Sequence, residues 1–547
     1  MFVEDLCEDF YNLIKGKHII LFVNYDIDAL CTCKIFQSLF RADCTLYTLV
    51  PVEGLQDLIK SYRKYSEQAK YVLLINCGGT IDIVEKLQPN EDVIFFIVDS
   101  HKPTDVCNIF SRSQVRLLGK AEESENIPNF EDIFIDSESE EESENETVTE
   151  ETLLKNKKRN EWEEKRNRIM FEYTQFSFYG RASSLVIFEM LWHLDREDID
   201  CLWWAIIGLT FQSIMELVVE QRYTCELPVL QLHLSRLSTP SNNSDRRNAN
   251  DYSVSSRKDL KLVLYRHWSV QASIRHTLST ATKLKLWTMS GEKRLYRLLA
   301  EIGLPLIESR QNFSSMEPVL RNDFIAMMEA ITGNYSLDSL IYHSFLMTVG
   351  FKQPYQAADY VFAMIALLDI NLEEEAHGDG FLEALDSLAR NKTKLIDEGI
   401  EKAKKMLMCI TRQVQSLLDM NQIISAGPFL YFALSEGSMD SKMFSYPCSL
   451  AILSRYALGA YTSLSKNKRA SMLPLIASVT TSEDSCLILG IPPSSELVPR
   501  NFFGKAFEQA AELIGKEPLI NYFDSSAIKI IKKDRPKFFD ALATLLT

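Results

Sequence analysis

Four short apolar runs crowd the first hundred residues: "HIILFVN" (His18 to Asn24), "CTLYTLV" (Cys44 to Val50), "YVLLINC" (Tyr71 to Cys77) and "VIFFIVD" (Val93 to Asp99). Each is rich in β-branched and aromatic residues and too continuous to have one face in water, which predicts strands buried on both sides. Between them, "ALCTCKIFQSLFRA" and "LQDLIKSYRKYSEQAK" carry helical spacing. Strands that alternate with helices predict a parallel sheet covered on both faces, an α/β fold.

A chain of 547 residues exceeds what one core can bury, and 46% hydrophobic with 24% charged residues is the make-up of folded protein, so two to four domains are expected. No window nears the roughly 20 apolar residues of a membrane span, and "MFVEDLCEDFYNLIKGKHII" lacks the basic and apolar regions of a secretory leader. The 11 scattered cysteines point to a reducing compartment, with Cys31 and Cys33 as buried thiols. A net charge of -16 repels phosphate, so contact with nucleic acid requires a local basic groove or a partner that already holds it.

Further along, "EDIFIDSESEEESENETVTEE" (Glu131 to Glu151) is just over half acid and is expected to be a disordered insertion, near 121–155. Its serines between Ser137 and Ser143 suit acid-directed kinases. "LLKNKKRNEWEEKRNRIMFEY" predicts a solvated helix, with a nuclear localisation signal as the rival. Helical patterns resume in "ASSLVIFEMLWHL" and "CLWWAIIGLTFQSIMELV", pause at a polar loop from Ser238 to Asp259, and dominate from Leu260 to Met420. One long helix is expected from Phe381 to Met420, with Gly399 and "RNKTK" as the points that could interrupt it. Strand-like runs return in "GPFLYFALS", "SMLPLIASV", "SCLILGIP" and "SAIKIIK", with an amphipathic "NFFGKAFEQAAELIG" between the last two. The expected division is 1–225, an α/β domain holding the insertion; 226–420, a mainly helical region; and 421–547, a second α/β domain.

Three of the four N-terminal strands end on polar residues: Asp26 and Asp28, then Asn76, then Asp99 and His101. Ligands of open α/β sheets lie beyond the carboxyl ends of strands, so these side chains are expected to converge. Carboxylates with an imidazole are the donors that a pair of hard divalent ions needs to activate water against a phosphoryl group. The plainer expectation is helix capping by the three aspartates.

"NYDIDALCTCKI", "INCG", "DSHKP" and "GLTF", in that order, resemble the four N-terminal motifs of the DHH phosphoesterase superfamily. "YTLVPVEG", "LWWAIIGLT", "LVLYRHWS", "KLKLWTMSGEKRL", "GPFLYFAL" and "NFFGKAFEQAAE" extend the resemblance from Met1 to Thr547, to its RecJ-like cell division control protein 45 family in eukaryotes. The resemblance implies an N-terminal DHH domain, a helical middle and a DHHA1-like C-terminal domain. It also implies a nuclear, non-enzymatic subunit of the CMG helicase, needed for initiation and elongation of DNA replication. Its partners would be the minichromosome maintenance hexamer, the GINS complex, initiation factors and polymerases, with weak binding of single-stranded DNA. The rival is an active phosphoesterase or exonuclease.

Against the superfamily pattern, Asp26, Asp28, Asp99 and His101 match metal-binding positions, whereas Asn76 replaces an aspartate, Ser100 a histidine and Phe211 an aspartate. Losing two carboxylates removes charge and ligands that two divalent ions require, so no cofactor is expected and at most one weakly held ion. Gly504 and Lys505 stand in a substrate loop without its Gly-Gly-His run. No Gly-x-x-x-x-Gly-Lys-Ser/Thr loop occurs, so no ATPase is expected. Ser183 and Ser184 read as helix-capping residues, and Trp203, Trp204, Trp268 and Trp287 as core. "LVLYRHWSV" and "TATKLKLWTMSGEKRLYR" interleave basic and aromatic residues and are the best local candidates for DNA or an acidic partner.

Overall fold

The computed structural model of the chain describes all but residues 135–149, 239–251, 370–378, 435–440, 466–471, 494–499, 516–517 and five single positions, 69, 112, 123, 483 and 547. Most of the acidic tract therefore lies outside the described residues, and its expected disorder with it.

The N-terminal lobe holds strands β1 (Phe2–Val3), β2 (Ile19–Asn24), β3 (Tyr47–Val52), β4 (Tyr71–Ile75), β5 (Ile94–Val98), β6 (His101–Lys102), β7 (Val115–Leu118) and β8 (Phe178–Tyr179). Six of them form a sheet in the order β1-β7-β5-β4-β2-β3 with every pairing parallel, while β6 and β8 pair separately. The period-2 alternation of a strand divides β2 cleanly. Ile19, Leu21 and Val23 join the core under the helices Ile27–Ala42, Ser183–His193 and Ile199–Ile214. Ile20 and Phe22 join the opposite core with Leu58, Tyr62 and Ile83. Since β3 and β4 flank β2 on opposite sides, the connecting helices part at the carboxyl ends of β2 and β4, where a crevice opens.

The middle is largely helical, but it also holds an antiparallel sheet of β9 (Tyr252–Leu260), β10 (Ile341–Val349) and β11 (Tyr355–Gln356), in the order β11-β10-β9. The expected loop from Ser238 thus ends in a strand. The sequence of β9, "YSVSSRKDL", hides it, because only Val254, Asp259 and Leu260 are buried and no alternation marks the pleat. The expected helix from Phe381 to Met420 is two helices, Asp379–Ser387 and Thr393–Asp419, parted by a 3₁₀ turn at Arg390–Lys392. No large apolar residue stands between Leu388 and Leu395, so the buried stripe is interrupted there. Gly399 lies inside the second helix, where a Cβ would stand 3.0 Å from both the Cβ and the carbonyl oxygen of Ala363.

The C-terminal lobe forms a six-stranded sheet of β12 (Ile424–Ser425), β13 (Leu430–Leu434), β14 (Leu475–Ser482), β15 (Ser485–Ile491), β16 (Ile520–Asn521) and β17 (Ala527–Ile531), in the order β12-β13-β14-β15-β17-β16. The four expected strand runs and the helix Phe503–Ile514 are all present. This lobe is stitched to the carboxyl edge of the first sheet by mutual backbone hydrogen bonds between Ser177 and Asn501 (2.8 and 2.7 Å). The Tyr179 hydroxyl adds a bond to Asp524 (3.1 Å) and the Asn521 amide one to Gln56 (3.1 Å).

The solvated helix is present as Glu150–Thr174. Trp203, Trp204 and Trp287 are buried, and the half-buried Trp268 stacks on His276. Among the described residues no helix is long and apolar enough to cross a membrane.

Candidate metal centre at the strand ends

Asp26 caps the helix Ile27–Ala42, accepting from the Ala29 amide at 2.7 Å. Asp28, in the first turn of that helix, faces inward and caps a different one. Its carboxylate accepts from the amides of Ser183 (2.8 Å) and Ser184 (3.1 Å) and from the Ser184 hydroxyl (2.6 Å). It thereby satisfies the leading N–H groups of the helix Ser183–His193 and meets the positive end of its dipole. The expected role of the two serines is corrected here. The helix does start at Ser183, but neither hydroxyl caps it; the cap comes from a carboxylate 155 residues earlier.

Asn76 follows β4 with φ at 50°, a left-handed conformation that Asn tolerates better than most residues. Its side-chain oxygen accepts from the Ser100 amide (3.2 Å) and the Ser183 hydroxyl (2.5 Å). A backbone N–H can only donate, so oxygen must face Ser100, and the amide NH₂ is left pointing at the carboxylates. It lies 3.2 Å from both oxygens of Asp26 and 3.2 Å from one of Asp28. A further donor, the side-chain amide of Asn24, reaches Asp26 at 3.0 Å.

Asp99 accepts from the Gly79 amide (2.8 Å), the His101 amide (2.9 Å) and His101 Nδ1 (2.7 Å). The approach to Gly79 is close enough that a Cβ there would stand 2.8 Å from the Asp99 oxygen. Burial works against charge on both partners, yet their mutual attraction prevails. The Asp99 carboxyl is held below its ordinary range, and His101 is raised to about 9. Asp26 is pushed up to about 7 by burial and by the neighbouring Asp28. The set is a buried imidazolium–carboxylate pair beside an amide-bridged pair of aspartates.

A divalent ion needs oxygen acceptors turned toward one point. Here the point between Asp26 and Asp28 is filled by N–H donors, and Asp28 is engaged by three further donors. The buried Phe211 offers no ligand atom from the helix Ile199–Ile214. As arranged, these side chains do not fit a two-metal centre. One turn before Phe211, Gly208 packs so tightly that a Cβ would overlap the Ser184 hydroxyl and Asp28. Gly504 packs on Ser525, and Lys505 pairs with Glu508 on its own helix (2.6 Å). Neither Gly504 nor Lys505 lines the cleft, whereas Ser525 does.

Among the described residues, a group of ligand atoms within 4.8 Å of one another occurs elsewhere, at Asp82, Asp105 and Cys107. There both aspartates cap short helices. Cys31 and Cys33 are buried thiols, both raised by burial, Cys33 to about 12.

The crevice widens into a cleft of about 150 Å³ between the two α/β lobes, lined by Asp26, Asp28, Asn76 and His101 and by side chains not singled out from sequence, among them Glu53 and Asp369. Glu53 carried a signal that was readable: β3 runs to Val52, so this strand too ends on a carboxylate. Asp369 and the tyrosines of the C-terminal lobe carried none.

The CDC45 family model matches residues 19–153 and 136–545. The chain is similar to the cell division control protein 45 homolog of Homo sapiens, at 39% identity over 566 residues covering 100% of both chains. To that of Schizosaccharomyces pombe it is 26% identical over 617 residues, 96% of each. In fold it is similar to the crystal structure of CDC45 from Entamoeba histolytica, with a TM-score of 0.74 at 22% identity over 100% of both chains.

Proposed function

This chain belongs to the cell division control protein 45 family and so has a role in DNA replication, and we propose that it acts in the nucleus as a non-catalytic scaffold of the CMG helicase. The observation that carries the non-catalytic part is the Asn76 amide, whose donors stand where a cation would need acceptors. With Asp28 spent on a helix terminus and Phe211 in place of a carboxylate, the residues of a two-metal phosphoesterase are kept as a structural joint.

On this reading, 1–225 and 421–547 are the two α/β domains, and the helices between Leu260 and Met420 meet the minichromosome maintenance hexamer and GINS. Initiation factors and polymerases are reached through that assembly. Single-stranded DNA is bound weakly or only within it, since a net charge of -16 opposes polyanion binding by the chain alone.

Purified chain incubated with Mn²⁺ and labelled single-stranded DNA is expected to leave the DNA intact. Metal-dependent cleavage that Asp99→Ala abolishes would overturn the non-catalytic reading. Co-purification with the hexamer and GINS is expected to fail when surface helices of Leu260 to Met420 are deleted, and persistence would move the interface elsewhere.

A further inference from the structure

A second group of side chains lines the same cleft. Glu53 stands at the end of β3, Asp369 at the end of the helix Ala357–Asp369, and Tyr25, Tyr446 and Tyr522 beside them. Asp369 is pushed up to about 7 by burial and then by Glu53. Tyr446 is raised by burial, Glu53 and Asp369. The Tyr522 hydroxyl lies 3.4 Å from Glu53, and the Ser449 amide donates to Asp369 at 2.8 Å.

Among the described residues no salt bridge reaches Glu53 or Asp369: of the basic groups lining the cleft, His101 is held by Asp99, Lys102 pairs with Glu125 at 3.6 Å, and Arg455 pairs with Glu216 at 3.7 Å with one buried guanidinium nitrogen left over. Gln212, 1% exposed, also lines the cleft. Its NH₂ bonds the Gly180 carbonyl, while its side-chain oxygen, likewise buried, has no donor. Two carboxylates and phenol rings lining one small space are complementary to a cation carrying N–H groups.

We propose that this part of the cleft binds an aliphatic ammonium ion, seated between the Glu53 and Asp369 carboxylates and enclosed by Tyr25, Tyr446 and Tyr522. The whole cleft, at about 150 Å³, has room for an ammonium on a short alkyl chain, since a cavity of about that size holds a benzene-sized molecule. A phosphate would add to charge that is already unanswered. The ion has two sources, a free diamine or the lysine side chain of a partner. The proposal does not rest on the scaffold reading: detection of nuclease activity would overturn that reading and leave Glu53 and Asp369 as they are.

Titration calorimetry of the full chain tests it with 1,4-diaminobutane, with Nα-acetyl-lysine methylamide and with thymidine monophosphate. At least one cation is expected to bind and the nucleotide not. Binding by the diamine alone assigns a free polyamine, binding by the lysine analogue alone assigns a partner's lysine, and either supports the site. Glu53→Gln and Asp369→Asn are each expected to weaken the cation by roughly tenfold. Asp369→Asn keeps an acceptor for the Ser449 amide, and matched melting curves establish that the fold is retained. If Asp369→Asn does melt early, Glu53→Gln and Tyr522→Phe decide alone. No cation binding, undiminished binding in folded variants, or preference for the nucleotide would each overturn the proposal.

Discussion

The two groups of carboxylates in one cleft differ in how their charge is answered. At the ends of β2, β4 and β5, Asp26, Asp28 and Asp99 meet the Asn76 amide, two helix-terminal N–H groups and an imidazolium. At the end of β3 and across the cleft, Glu53 and Asp369 meet phenols, one serine amide and each other. Carboxylates with several donors, as Asp28 and Asp99 have, hold a fold together, whereas the buried Asp369 with one backbone donor and the half-buried Glu53 carry charge that a ligand can relieve. The same residue type therefore serves structure in one group and, on our proposal, recognition in the other.

The hardest blow to the first group is Asn76→Asp. It exchanges a donor 3.2 Å from three carboxylate oxygens for a like charge, and a loss of about 4 kcal/mol is expected in chemical denaturation without divalent ions. Full recovery with Mn²⁺ would break the comparison, because that group would then also be waiting for a cation.

Next comes His101→Gln, at about 3 kcal/mol near pH 6. The sign follows from the two shifts. The folded pKa of His101, about 9, lies above its ordinary 6.5, so its contribution is complete below about 6.5 and fades as pH rises through 9. Asp99 is lowered, so its contribution is present above its ordinary value of 3.8 and fades as pH falls below. The stability gap between wild type and His101→Gln should shrink from pH 6 to pH 9.5, and a gap that grew would refute the imidazolium. Gly208→Ala should then cost about 2 kcal/mol, because a buried helix backbone must retreat from Ser184 and Asp28; unchanged melting would show that the joint has slack.

How much of this was legible follows the range of the signal. The sheet was, because apolar runs flanked by helical ones are local, and so was the convergence of Asp26, Asn76 and Asp99, because strand ends of a parallel sheet meet. Glu53 escaped because Pro51 makes β3 look finished at Val50. Yet β3 is the edge strand, where a missing N–H costs the ladder nothing. The service of Ser183 and Ser184 to Asp28 was out of reach, since a cap given across 155 residues leaves no local pattern. The polar strand β9 was hidden for the opposite reason: its pleat buries almost nothing that periodicity could reveal.

The smallest expected effect has the reverse sign and sharpens the contrast most. Glu53→Gln removes a charge that no salt bridge opposes among the described residues and keeps an oxygen near the Tyr522 hydroxyl, so the variant should be as stable as wild type or up to about 1 kcal/mol more so. Asp369→Asn should lie closer to zero. It sheds the same repulsion but also a negative charge at the Ser449 amide, in the first turn of the helix Pro447–Leu464, where the dipole favours it. Adding the diamine or the lysine analogue should then reverse the order, because a ligand held only by the folded wild type raises its stability and leaves the variants behind. Were Glu53→Gln instead as damaging as His101→Gln, its carboxylate would have a partner's role like that of Asp99, and the two groups would be alike.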